Sequence, residues 1–423
     1  MKILLIALGT RGDVQPVLAL GKGLQAAGHT VRMLVANNFA GWVRGHGLDV
    51  ALAGADVQAM MQSADGVAWS QARSPMDELR QMRVLFEQAG LTFARNALAA
   101  AADVDVIIGG FTTDNFAASI AEHLGKRYFT HALQPLFPTR SGAATAQSFK
   151  SPGDSVFNLW STMFAEFLLY DVFQKVAKTF RQELGLAPLT RRDYYDRLHR
   201  VPALCGFSEH IVPHPKDWPV QRAITGYWFL DNDAGWQPPS ELLDFLKAGS
   251  PPIYIGFGSM SDANGRDTAA MIVRALRHNK VRAVLAQGWA GLSVDAVELR
   301  DDLFVLHATP HSWLFPRMAA VVHHGGAGTT GAALQAGVPQ FIIPHFADQP
   351  YWGRRTFELG VGVRPLARRK LSEASLSEGI RELIQQTEMT RAAQELGTRV
   401  AAEDGLSCAV NIFEQWMSKT YGN

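Results

Sequence analysis

A chain of 423 residues is longer than one ordinary core organises, so two domains are expected. Forty basic against thirty-nine acidic residues leave a formal charge of +1, which removes the usual electrostatic case for a nucleic-acid partner. The apolar and charged fractions, 47% and 19%, fit a soluble globular protein, and the isolated Cys205 and Cys408 argue for a reduced, cytoplasmic setting over a disulfide framework or zinc cage.

The apolar run Ile3 to Leu8 is too short for a signal peptide and reads as a first strand ending in the turn Gly9-Thr10-Arg11-Gly12-Asp13. A helix over Val14 to Ala27 stops at Gly28-His29, and Thr30 to Ala36 is the next strand. Phe39 to His46 and Val50 to Leu52 continue the alternation, followed by a helix over Glu78 to Ala102 and a strand over Val104 to Ile108. Asp114 to Leu124 is a helix and Arg127 to His131 a strand. Strand–helix alternation of this kind marks a parallel α/β sheet.

Leu133 to Pro152 reads as an exposed loop. Ser155 to Phe180 then carries Phe157, Trp160, Phe164, Phe167, Tyr170 and Phe173 at helical spacing. Asn158, Glu166, Asp171 and Lys175 interrupt it, so it falls short of the ~20 apolar residues a membrane span needs. Packing into one or two core helices explains these residues. An apolar pocket lining or a peripheral membrane contact is the alternative for part of this surface, and the readings coexist.

Prolines from Pro213 to Pro252 mark a linker, placed at 221–250 between a domain over 1–220 and a second over 251–400. Strands then recur at Ile253 to Phe257, Arg282 to Ala286, Leu303 to Leu306, Ala319 to Val322 and Gln340 to Ile343. Helices over Thr268 to Asn279 and Gly328 to Ala336 lie between them, and one long helical pattern, Thr390 to Met417, closes the chain.

Three constellations carry chemistry. In the first turn, Asp13 sits where parallel sheets bind ligands; it serves either as a general base or as an N-cap of the first helix. Neither a GxxxxGK[ST] loop nor a GxGxxG fingerprint occurs there. Gly256-Phe257-Gly258-Ser259 follows the first strand of the second half, where Ser259 offers a hydroxyl and an amide. Most specific is His323-His324-Gly325-Gly326-Ala327-Gly328-Thr329-Thr330, a bare strand-to-helix turn suited to a phosphate. After the next strand, Asp348 and Gln349 suit sugar hydroxyls, although Asp348 also fits as a helix cap. Trp289 follows a strand end and either stacks on a base or covers the domain edge. Adjacent histidines on a strand point to opposite faces, so no metal site is expected.

These motifs, GTRGDVQP at Gly9 to Pro16, Gly256 to Ser259, and Pro310 to Gln349, resemble the UDP-glycosyltransferase superfamily over essentially the whole chain. HHGGAGTTGA is especially similar to the sterol glucosyltransferases, with the actinomycete antibiotic glycosyltransferases also near. The resemblance implies a GT-B fold: two Rossmann-like α/β domains facing each other across a cleft, with a C-terminal helix over 401–423 crossing back to the first. It implies Asp13 as catalytic base. By the same resemblance Ser259, His324, Gly326, Gly328 and Thr329 would hold the donor diphosphate and Asp348 and Gln349 the sugar, while Trp289 is a candidate for the base from its position alone. It further implies an inverting, metal-independent transfer without a cofactor, from UDP-glucose or a related nucleotide-sugar to a lipophilic acceptor such as a sterol, by a monomer or weak dimer. Leu306 to His311 departs from the plant pattern, which leaves UDP or TDP open. The rivals are a nucleotide-sugar 2-epimerase and a non-catalytic nucleotide-sugar-binding protein.

Overall fold

The computed structural model describes residues 1–72, 74–146, 153–230, 236–258, 265–288, 292, 301–307 and 309–419. The chain forms two compact units, one comprising 1–230 and 403–423 and the other 231–402.

The first unit is built on seven strands: β1 (Lys2–Ala7), β2 (Thr30–Val35), β3 (Asp49–Leu52), β4 (Val106–Gly110), β5 (Arg127–Ala132), β6 (Ala203–Cys205) and β7 (Arg222–Ile224). All pair in parallel, in the order β3-β2-β1-β4-β5-β6-β7. The strand order reverses between β1 and β4, and parallel sheets bind ligands beyond the carboxyl ends of the strands at such a switch point. The sheet is buried on both faces, which is why β1 reads as an unbroken apolar run. On one face Leu4, Ile6 and Ile107 pack with Phe93, Phe116 and Phe180, from the helices Pro75–Ala100, Asp114–Leu124 and Val156–Glu183. On the other face lie the helices Arg11–Ala26 and Gly405–Lys419. Gly21 abuts Leu5 and Gly23 abuts Val410, so small residues set how closely these helices approach.

The second unit has six parallel strands: β8 (Ile253–Gly256), β9 (Ala283–Ala286), β10 (Leu303–Leu306), β11 (Ala320–His323), β12 (Gln340–Ile342) and β13 (Gly362–Val363). Their order, β10-β9-β8-β11-β12-β13, places its switch point between β8 and β11.

Several boundaries differ from those expected. The linker placed at 221–250 holds β7 of the first sheet and the helix Ser240–Lys247, whose Leu242 is fully buried in the second core. The terminal pattern Thr390 to Met417 is two helices, Thr387–Ala401 and Gly405–Lys419. Asp404 ends the continuity by accepting the Ser407 amide at 3.1 Å, as a cap does. A Cβ on Gly405 would overlap the Tyr227 carbonyl, so the restart is fitted against the first unit's own backbone.

Val156–Glu183 is a single helix whose halves differ. Tyr170, Phe173 and Phe180 are core, whereas Phe157, Trp160, Phe164 and Phe167 face solvent.

One buried acid beside this helix carries a pH signature. Asp114 is 6% exposed and accepts from the Tyr128 and Thr130 hydroxyls. Desolvation outweighs those bonds and raises its pKa to about 6. The folded state therefore holds this proton more tightly than the unfolded chain does. The stabilisation is complete below about pH 4 and is lost as pH rises through about 6. Asp114→Asn should therefore gain stability at neutral pH, by at most about 3 kcal/mol, and lose the advantage near pH 4. Urea titrations of both proteins across that range read the effect, and parallel curves would rule it out.

Candidate active site

The turn after β1 fixes Asp13. Thr10 is the N-cap of the helix Arg11–Ala26, and Asp13, in its first turn, reaches back to it. The Thr10 amide donates to Asp13 Oδ2 at 2.7 Å and the Thr10 hydroxyl at 3.2 Å. Asp13 is thus a capping-box partner and not the N-cap itself. Both bonds land on Oδ2, which leaves Oδ1 to take a proton. Burial raises the Asp13 pKa above the ordinary carboxylate value despite the bonds from Thr10. A carboxylate of raised basicity at a strand's carboxyl edge is suited to proton abstraction.

Gly9 is part of this device. Its φ of +148° disfavours a side chain, and a Cβ there would overlap the Asp13 carboxylate. Gly9→Ala should lower kcat by roughly 10²-fold through misplacement of the base, with nucleotide affinity kept. Steady-state kinetics beside a nucleotide titration separate the two, and unchanged turnover would detach Gly9 from the site.

The turn after β11 is organised by its two histidines in different ways. The Gly325 amide donates to His323 Nδ1 at 3.1 Å, which puts the His323 proton on Nε2, 2.8 Å from Gln340 Oε1. His323 is fully buried and neutral, its pKa lowered to about 4 by desolvation. It holds the turn in place. The His324 ring stands perpendicular to that of His323, at 89° with centroids 6.2 Å apart. Its Nδ1 is buried and has no partner. Desolvation first, then the nearby His323, His345 and His311, keep its imidazole neutral. Two glycines frame it: a Cβ on Gly326 would sit 2.5 Å from His324 Nε2, and one on Gly258 3.0 Å from Cε1. Gly325, at φ +91°, makes the reversal itself.

Gly326 is the N-cap of the nine-residue helix Ala327–Gln335 and supplies no side-chain cap. The first-turn amides of that helix, including those of Gly328 and Thr329, therefore point outward with the positive end of the dipole. A Cβ on Gly328 would meet no protein atom within 4 Å, so its bareness is not explained by packing. The Thr330 hydroxyl is buried without a partner. An unpaired imidazole, a row of helix amides and an unpaired hydroxyl thus lie along this turn, and bare amides at a helix start are suited to an anion.

Gln349 lies against this turn: a Cβ on Gly325 would be 3.1 Å from its carbonyl oxygen and 3.4 Å from its Cβ. Its side-chain Oε1 accepts the His345 and Phe346 amides at 2.8 and 3.2 Å. Asp348 is the N-cap of the helix Gln349–Glu358, and its Oδ2 accepts the Trp352 indole N–H at 2.6 Å. Between these bonds Ala347 adopts φ +56°, an unusual conformation for alanine. Acid and amide thus shape the loop beside this turn. Ser259 and Trp289 lie outside the described residues.

The structure gathers Gly258, His324, Gly325, Gly326 and Gln349 in the second unit and sets Thr10 and Asp13 in the first. Sequence reasoning did not single out Gly9 as the partner of Asp13. Nor did it single out His131, whose Nδ1 is buried and unpartnered beside the bare Gly110. The strand that carries it, Arg127–Ala132, mixes polar and apolar residues and offers no sequence signal for that position. Among the described residues, no three His, Cys, Asp or Glu side chains gather to hold a metal ion. No described helix is long and apolar enough to cross a membrane.

Comparison with known proteins agrees with both halves. Residues 3–141 match the glycosyltransferase family 28 N-terminal domain, and residues 289–412 match the erythromycin biosynthesis protein CIII-like C-terminal domain. The sterol 3-beta-glucosyltransferase UGT80B1 of Arabidopsis thaliana is 33% identical over 98% of this chain and 68% of that protein. A sterol 3-beta-glucosyltransferase of Neosartorya fischeri is 33% identical over 97% of this chain but only 29% of its own length. The chain therefore spans about two thirds of the plant relative and under a third of the fungal one. Among solved structures, the calicheamicin glycosyltransferase CalG4 superposes with a TM-score of 0.72 at 18% identity, covering 99% of this chain and 98% of that one. The Streptomyces sp. SF2575 glycosyltransferase SsfS6, complexed with thymidine diphosphate, gives 0.62 at 19%, covering 98% and 99%. At such identities the likeness shows the fold, two Rossmann-like units of the GT-B type.

Proposed function

Because this chain belongs to the glycosyltransferase family that includes the sterol 3-beta-glucosyltransferases, we propose that it moves glucose from UDP-glucose to a hydroxyl of a lipophilic, sterol-like acceptor. The observation that carries the donor half is the buried, unpartnered His324 Nδ1 beside the uncapped helix Ala327–Gln335. A diphosphate satisfies both.

The reaction is a single displacement. The acceptor hydroxyl gives its proton to Asp13 Oδ1 as its oxygen bonds to the anomeric carbon. The bond from that carbon to the diphosphate breaks on the opposite face, so the anomeric configuration inverts. The bonding pair leaves with the diphosphate, whose added charge meets the helix amides and His324. Preorganised donors of this kind lower a barrier without needing a metal. The nucleotide-sugar is a substrate, and the reading requires no resident cofactor. Gln349 and Asp348, beside that turn, are the groups this reading turns toward the sugar hydroxyls.

Thermal-shift titration with UDP, TDP and GDP tests the donor half: stabilisation by UDP at lower concentration than by TDP is expected, and stabilisation by none of them would sink the reading. Preference for TDP would favour a TDP-sugar transferase, and thymidine diphosphate is the nucleotide bound to one structural neighbour. Transfer from UDP-glucose should persist in EDTA, and loss of turnover restored by Mg²⁺ would overturn the metal-free account.

A further inference from the structure

The first unit holds a cavity of about 230 Å³ that no residue of the Asp13 turn or of the turn after β11 lines. It lies between the helices Asp114–Leu124, Val156–Glu183 and Arg191–Leu198 and the start of β5. Asn115 and Glu122 both line it, and between them the first of these helices rises ~10 Å. The two ends differ. Asn115 is 2% exposed, whereas Glu122 and Arg197 are exposed and Lys126 is half-buried. Asn115 marks the inner end and Lys126 the mouth.

The inner end has an unmet acceptor. Asn115 Nδ2 donates to the Thr112 carbonyl at 2.9 Å, and its Oδ1 is buried with no partner. A buried acceptor left bare costs stability, so open space beside one suits a ligand that donates. The Tyr128 and Tyr170 hydroxyls are already committed, to Asp114 and to the Leu189 carbonyl, and these residues offer the cavity their ring surfaces. Ala118, Ala121 and Ala177 line it with methyl groups alone, which keeps the space between the ends apolar. At the mouth cations outnumber anions. Arg181 and Arg197 share the one carboxylate of Glu122, at 2.7 and 2.9 Å, and Lys126 has no ion-pair partner among the described residues.

We propose that this cavity is a second small-molecule site, for a single aromatic ring bearing a hydroxyl at one end and a carboxylate at the other. The hydroxyl donates to Asn115 Oδ1, the ring lies among the tyrosine rings and alanine methyls, and the carboxylate meets Lys126. At about 230 Å³ the space falls below the ~300–1,000 Å³ of sites for drug-sized molecules, so it fits one ring and excludes a multi-ring acceptor. The site is separate from the proposed transfer, and its occupancy does not depend on that reading.

Calorimetric titration of the full chain with 3-(4-hydroxyphenyl)propionate tests it, beside 3-phenylpropionate, which lacks the hydroxyl, and 4-ethylphenol, which lacks the carboxylate. The hydroxylated acid should bind saturably. The unhydroxylated acid should bind about tenfold more weakly, the loss of one hydrogen bond to a buried acceptor. The uncharged phenol should show a smaller deficit that salt removes, because the mouth is exposed. Asn115→Leu should bring the hydroxylated acid down to the affinity of 3-phenylpropionate. Lys126→Glu should weaken both acids and spare 4-ethylphenol. Ala118→Phe, which fills the space, should abolish binding of all three and leave UDP affinity unchanged. The probe series on the wild-type chain carries the test even where a variant fails to fold. Absence of saturable binding by the hydroxylated acid, equal affinity of the two acids, or displacement of the hydroxylated acid by UDP overturns the inference. So does binding retained by a folded Ala118→Phe.

Discussion

Asp13→Asn should lower kcat by ~10²–10⁴-fold, the range for loss of a general base, while UDP binds as before. Asparagine keeps the size of the group and an oxygen for the Thr10 amide, so the helix cap survives and the change isolates proton transfer. The acid limb of the wild-type pH–rate profile belongs to the same group. Activity falls as pH drops through the Asp13 pKa, and because burial raises that pKa, the limb lies above the ordinary carboxylate range. The residual activity of the variant should lack the limb. Turnover within twofold of wild type would remove Asp13 from the mechanism.

His324→Ala should cost ~10²–10³-fold in kcat, as removal of one preorganised donor to a developing anion does elsewhere. It should also change how UDP binding depends on pH. In the free protein His324 is neutral, since burial and three neighbouring histidines lower its pKa. A diphosphate beside it favours the cation and raises that pKa, so binding takes up a proton. Affinity should then rise as pH falls below the pKa of the bound state. UDP titrates in a similar range, and the difference between wild type and variant isolates the imidazole from the nucleotide. Calorimetry across pH reads both. Identical pH dependence in the two proteins would mean that His324 does not meet the phosphates.

Much of this architecture is legible in the residues because parallel strands buried on both faces are plain apolar runs, as in Ile3 to Leu8 and Ala320 to Val322. The short strands β6, β7 and β13 are not legible. Two or three residues carry no periodicity, and their pairing is decided by tertiary neighbours. The terminal helices read as one because Ala402-Glu403-Asp404 contains no strong breaker; the break is set by the Asp404 cap and by Gly405 meeting the Gly226–Tyr227 backbone. At the site, the glycine-rich turn announces a cradle, but the division of labour inside it is invisible in the string HHGG. Which histidine holds the turn and which is left unpaired depends on Gln340 and Gly325, and that emerges only once β11 and β12 are paired. Asp348 and Gln349 were legible as a pair, and their bonds to Trp352 and to the His345 and Phe346 amides were not.

The first unit is discontinuous: its last piece, 403–423, arrives only after the whole of 231–402. Phe413, which packs edge-on against His29 and Phe129, belongs to that piece. On a ribosome, which releases the chain from its N-terminus, the second unit is therefore complete while the first still lacks the helix that covers one face of its sheet. The part made first is the part finished last. A nascent chain stalled before residue 403 would lack Phe413, so the packing it makes on His29 and Phe129 would wait until the second unit has been synthesised.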